Sequence, residues 1–261
     1  MSLKIGAVPD KGRVSVRQSP TAHLPSNPSR LVIAAPSSSG KTNLIVSMLT
    51  TPQLYGGDVF DAVYVVSPSA KLDSTWQHLV KYRAKRGQKE EDFFMDSWDA
   101  KRIEQILDES SKLTAYHKAQ QTKGEKRFAT SVLLVVDDMA DASHILHATG
   151  NSILNTLFIR GRHYMLSCWV SSQRPNLVSS IIRTQMSGVI CFRMRNWKDK
   201  DTILTELSAW VNRKTLEEMY DLATRDKFSF LYVNLLAGDL SKTFYWNFDR
   251  KLIPVLEDES P

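Results

Sequence analysis

Only two cysteines occur in 261 residues, Cys168 and Cys191, and each sits inside an apolar run. That excludes a disulfide-stapled scaffold and predicts buried free thiols in a reducing compartment. No Cys/His spacing resembles a zinc site. No apolar run approaches the ~20 residues that cross a bilayer. No hydrophobic signal core leads the chain, so a soluble intracellular protein with no membrane partner is expected. Internal repeats are absent, and low complexity is confined to the Ser- and Pro-rich start. What remains is a globular composition, 42% hydrophobic and 24% charged, enough for one large core or two small domains. The net charge of +6 suits a polyanionic partner without requiring nucleic acid.

What the chain does contain is the run Ala35-Pro36-Ser37-Ser38-Ser39-Gly40-Lys41-Thr42. It follows the apolar stretch Leu31-Val32-Ile33-Ala34 and precedes the helix-like run Asn43 to Leu49. Strand, loop and helix in that order form the context of a phosphate-binding loop, whose backbone N–H groups and helix N-terminus attract a polyphosphate. Ser37, Ser38, Ser39, Gly40, Lys41, Thr42 and Asn43 are the expected ATP contacts. Lys41 would reach the β- and γ-phosphates, and Thr42 would ligate Mg²⁺. Ala35 stands where the pattern has its first glycine, a place alanine can fill at negative φ.

Residues 1–29 carry Lys4, Lys11, Arg13 and Arg17, with Arg30 adjoining, and no long periodic apolar pattern, so a flexible basic arm is expected there. From residue 30 to 261 strand-like runs alternate with helices. The runs are Leu31–Ala35, Ala62–Ser67, Val132–Val136, Leu166–Ser171 and Val189–Met194. Near-continuous apolar strands alternating with helices predict an α/β fold, a mostly parallel central sheet flanked by helices. Phe228–Asn234 and Thr243–Phe248, around Ala237-Gly238-Asp239, read as a C-terminal β-hairpin extension. A long polar segment, Ser69 to Thr130, holds a charged run from Lys81 to Asp92, a helix from Trp98 to Gln121 and a basic loop, Lys123 to Arg127. The charge runs read as solvated faces or as the lining of a DNA path.

The strand at Val132 delivers Asp137 and Asp138 at its end. Parallel sheets bind ligands at that edge, so Asp137 would hold the Mg²⁺ shell and Asp138 would polarise an attacking water. The next strand ends in Gln173, an amide placed to sense a γ-phosphate or orient the water. Before it stand Arg160-Gly161-Arg162-His163, where an arginine could stabilise transition-state charge on a neighbour's nucleotide. His144 and His147 read as helix residues rather than ligands, and the six tryptophans show no stacking-platform spacing.

Asp137-Asp138, Arg160-Gly161-Arg162-His163, Ser171-Ser172-Gln173-Arg174-Pro175 and Ile181-Ile182-Arg183 together resemble the FtsK–HerA superfamily of DNA-pumping ATPases. More closely, the chain is similar to the poxvirus-type genome-packaging ATPases over about residues 30 to 250. The resemblance implies a RecA-like P-loop NTPase domain. It gives Lys41 and Thr42 the nucleotide and metal roles, Asp137 the metal-site acid, Asp138 the catalytic acid and Gln173 the polar sensor. Arg162, then Arg160, is the implied arginine finger, and Arg183 a nucleotide or DNA contact. Many relatives carry Glu where this chain has Asp138. The implied function is ATP-driven translocation of double-stranded DNA into a preformed capsid by a homo-oligomeric ring. A capsid or vertex protein would be its partner, in the host cell at viral assembly sites or with the virion. Another P-loop DNA motor, such as a helicase or DNA-transfer ATPase, and a nucleotide-gated scaffold with weak hydrolysis are the rival readings.

Overall fold

The computed structural model describes residues 14–89, 92–123, 128–139, 143–147, 150, 152–209 and 211–254. Lys4, Lys11 and Arg13 of the expected arm, Glu90 and Glu91 of the charged run, 124–127 of the basic loop and one of the six tryptophans, Trp210, lie outside the described residues.

One nine-stranded sheet carries the fold, in the order β3-β2-β4-β5-β1-β6-β7-β8-β9. Its parallel part comprises β1 (Arg30–Ala34), β2 (Ala62–Val66), β3 (Phe94–Met95), β4 (Val132–Asp137), β5 (Leu166–Ser172) and β6 (Gly188–Phe192). The antiparallel part adds β7 (Phe230–Asn234), β8 (Phe244–Trp246) and β9 (Arg250–Leu252). The α/β architecture with a mostly parallel sheet is therefore as the apolar runs predict. The extension is larger than one hairpin, because β9 pairs a charged segment onto β8. The two-residue β3 is also unforeseen, and it exists through its pairing with the edge of β2.

Strands β1, β4, β5, β6 and β7 are buried on both faces, which is why they read as apolar runs rather than alternations. Along β1, Leu31 and Ile33 enter one core with α1 (Lys41–Thr50) and α2 (Ser74–Ala84). Val32 and Ala34 enter the other. That second core takes side chains from α3 (Ala100–Thr122), α5 (Ile153–Arg160), α6 (Ser180–Gln185), α7 (Trp197–Leu207) and α8 (Arg213–Ala223). The short α4 (Ser143–Leu146) follows the acidic end of β4. Among the described residues no helix is long and apolar enough to cross a membrane.

The arm expected over 1–29 needs correction from Val14 onward. Val14 and Val16 are buried against Ala129, whose N–H donates to Ser15 O at 2.8 Å. Tyr55 Oη donates to Pro25 O at 2.6 Å, and Trp169 Nε1 to Ser29 Oγ at 2.9 Å. Tyr232 Oη and Asn234 Nδ2 both donate to His23 O at 2.8 Å. The carbonyls of Ser15, His23 and Pro25 and the Ser29 hydroxyl thus accept from donors of the sheet, of the stretch before β4 and of the turn after α1, so the segment is fixed by distant partners that local composition does not reveal. Arg30 is likewise no arm residue. It is buried, and its Nη1 donates to Phe158 O at 3.2 Å.

Within the charged run Lys81, Lys85, Arg86 and Lys89 are exposed, as on a solvated face, and Arg83 alone of the cations belongs to the scaffold. Arg83 is buried and donates to Phe60 O at 2.9 Å and Asp61 O at 2.7 Å, which rules out a solvated face or a DNA path at that position.

Candidate nucleotide site

The phosphate loop begins where β1 ends. Ala35 is fully buried and its N–H donates to Ser172 O at 3.0 Å, while the left-handed conformations fall to Ser38 (φ 63°) and Gly40 (φ 91°). A methyl at position 35 is therefore tolerated, and the conformational demand rests on Gly40. Helix α1 starts at Lys41 with no side-chain cap and no acid in its first turn. Its N-terminal N–H groups are left for another acceptor, and the helix dipole favours an anion.

Strand order brings the remaining groups to this loop. Because β5 lies between β1 and β4, its tip stands between the loop and the acids. Lys41 Nζ is 3.1 Å from Asp138 Oδ2 and 3.6 Å from Asp137 Oδ1. The ammonium is buried and is held by these two carboxylates through charge, without a hydrogen bond of good geometry. Gln173 Nε2 donates to both oxygens of Asp138, at 2.8 and 2.7 Å. Asp138 itself is left-handed, φ 54°, a strained conformation of the kind that collects at functional sites.

Asp137 is 1% exposed. Ser171 Oγ donates to one of its oxygens, and Ser67 Oγ to the other at 3.4 Å. Burial pushes its carboxyl above the usual range, against the pull of Lys41 and Ser171. The two serines were not foreseen as site residues. The available signal was a hydroxyl at the tip of each strand flanking β4, since Val66 pairs Val136 and Asp137 pairs Ser171.

Lys41, Asp137, Asp138 and Gln173 line a cavity of about 320 Å³ together with Ser37, Ser38, Gly40, Thr42 and Asn43. Ser39 lies instead on a second cavity, on the other side of the loop. Among the described residues no group of three or more His, Cys, Asp and Glu side chains could hold a metal. A hydroxyl, one carboxylate and phosphate oxygens are nevertheless the usual surroundings of Mg²⁺, so Thr42 and Asp137 fit that ion.

The arginines stand apart. Arg160 ends α5, and Arg162 follows in a 3₁₀ turn, Gly161–Tyr164, that leads into the start of β5. Seven-residue β5 then separates them from Gln173 by about 20 Å. Burial lowers the pKa of Arg30 at the start of β1, with the nearby charge of Arg162 adding to the effect. Arg160 and Arg162 thus lie at the sheet end opposite the phosphate loop. Arg183 is committed elsewhere: its Nε pairs with Glu206 at 2.7 Å and its Nη1 bonds Val178 O. That ties α6 to α7 and corrects the expectation of a nucleotide or DNA contact.

A family model described as Poxvirus A32 protein matches residues 18–237. No curated protein matches the sequence. Among solved structures, B204, the DNA-packaging ATPase from Sulfolobus turreted icosahedral virus, is 14% identical. It aligns over 80% of this chain and 93% of its own, with a TM-score of 0.51. The pCW3 conjugation coupling protein TcpA, in its monomer form with ATPγS, is 17% identical over 80% of this chain and 58% of its own, with a TM-score of 0.53. Identities this low show the shared fold, that of P-loop ATPases.

Proposed function

Because this chain belongs to the Poxvirus A32 protein family, we propose that it is an ATPase that packages a viral genome, driving double-stranded DNA into a preformed capsid. The observation that carries the chemistry is the convergence of Lys41, Asp137, Asp138 and Gln173 on the open N-terminus of α1. The packaging role is supported by the likeness to a structure described as a DNA-packaging ATPase.

The reaction is phosphoryl transfer from ATP to water. Lys41 and the N–H groups of the loop neutralise the β- and γ-phosphates. Thr42 and Asp137 would hold Mg²⁺, which supplies further charge neutralisation at the phosphates. Asp138 orients the attacking water. Asp138 is engaged by Gln173 and Lys41, and a γ-phosphate competes for both donors, freeing the carboxylate for water.

Arg162, or Arg160, completes the site of a neighbouring copy. Neither can reach the phosphate loop of its own chain across the length of β5. A head-to-tail contact that joins one sheet end to the other forms a ring when its rotation closes, the natural arrangement around DNA. The duplex is held through phosphates, since a motor must not stall on sequence. A capsid or vertex protein anchors the ring inside the host cell, where capsids are filled.

The test is ATP turnover with and without duplex DNA. Duplex-stimulated hydrolysis without strand separation supports packaging. Strand separation would favour a helicase, and turnover indifferent to DNA would favour a nucleotide-gated scaffold.

A further inference from the structure

A second cavity, of about 330 Å³, opens on the outer side of the phosphate loop and shares Pro36, Ser37, Ser38 and Phe228 with the first. The two therefore flank the same stretch of the loop. Its far walls come from the end of β6, with Arg193 and Arg195, and from the turn between α8 and β7, with Arg225, Lys227 and Phe228. Asp226 is the one acid among its lining residues.

Phe228 is the wall common to both cavities. It is 56% exposed and adopts φ 67°, a strained conformation for a bulky side chain. A Cβ added to Gly40 would come within 3.1 Å of its ring, so the ring lies directly beside the loop's glycine. Its π system already has one partner, Lys227 Nζ, at 4.8 Å from the centroid. Arg195 Nη2 donates to Ser37 O at 2.8 Å, which holds a guanidinium plane against the outer edge of the loop.

We propose that this second cavity seats the nucleobase and ribose of the bound triphosphate, with Phe228 as the stacking platform. The inference rests on the nucleotide reading of the phosphate loop. Phosphates in the first cavity direct the nucleoside across Ser37 and Ser38 into the second. There an aromatic ring and planar guanidinium groups offer flat faces to a base, an attraction that any base can satisfy. The cations beside the loop also meet the α-phosphate.

Equilibrium binding of a non-hydrolysable ATP analogue and of inorganic tripolyphosphate tests the proposal on wild-type protein, Phe228→Ala and Phe228→Tyr. Loss of the ring is expected to weaken the analogue by on the order of ten-fold. Tripolyphosphate should bind as before, and Phe228→Tyr should restore the analogue. Phe228→Ala binding the analogue like wild type would overturn the proposal. Equal loss of both ligands would also overturn it, since the ring would then only shape the loop. Wild-type protein that bound neither ligand would instead refute the phosphate site itself.

Discussion

Asp137 shows how the site stores charge at the cost of fold stability. Its carboxyl titrates above the ordinary range because burial outweighs Lys41 and Ser171. A raised folded-state value means that the contribution to stability is complete at pH below the unfolded carboxyl's value. It is lost as pH rises through the folded value, where the buried carboxyl has to ionise. Asp137→Asn should therefore melt higher than wild type at pH 7 without nucleotide, and this gain should vanish in acid. Lys41 would still keep Asp138 at 3.1 Å. Thermal melts across pH check this, and a variant less stable at pH 7 would show the ion pair to dominate. Lys41→Ala should cut ATP affinity by about ten-fold or more, as expected when a charge-assisted contact is removed. Binding calorimetry gives the answer. The thiols of Cys168 and Cys191 are buried and pushed far up by desolvation. Neither should react with a thiol reagent until denaturant is added, so rapid labelling of the native protein would contradict their placement.

At the scale of elements, the Arg160-Gly161-Arg162 turn has a steric reason for its glycine. A Cβ at Gly161 would lie 2.9 Å from Leu166 O, a backbone atom that cannot move aside cheaply. Gly161→Ala should cost about 1–3 kcal/mol of stability and displace both flanking arginines, readable by denaturant titration. The apolar runs of β1, β4, β5 and β6 were legible because strands buried on both faces need no other signal. The phosphate loop and paired acids were legible because their chemistry is local in sequence. The segment from Val14 to Ser29 was not legible, because its partners are Ala129, Trp169 and Tyr232, far along the chain. Removing residues 1–28 should orphan the buried Tyr55 Oη, which bonds Pro25 O, at a cost of about 1–3 kcal/mol for that donor alone. An unchanged melting temperature would contradict the packing described.

For the whole molecule, the sheet has two chemically different ends. One holds Lys41, Asp138 and Gln173, and the other holds Arg30 and Arg162. The sequence put Arg162 in one set with Lys41, Asp138 and Gln173 and left Arg30 with the basic arm, since it does not show that β5 places its own tip and the turn before it about 20 Å apart. A site shared between copies follows from the proposal. Arg162→Ala and Lys41→Ala should each be inactive alone and should partly rescue each other when mixed, because one supplies the phosphate loop and the other the arginine. No rescue, with assembly intact, would remove Arg162 from the finger role. Duplex affinity should fall steeply with added salt, as phosphate contacts release counterions. The most direct measurement for the account as a whole is ATP binding and single-turnover cleavage in Asp138→Asn. Binding should stay within a few-fold of wild type while cleavage falls by about 100-fold or more. Cleavage at the wild-type rate in that variant would contradict the assignment of this loop and these acids as the hydrolytic centre.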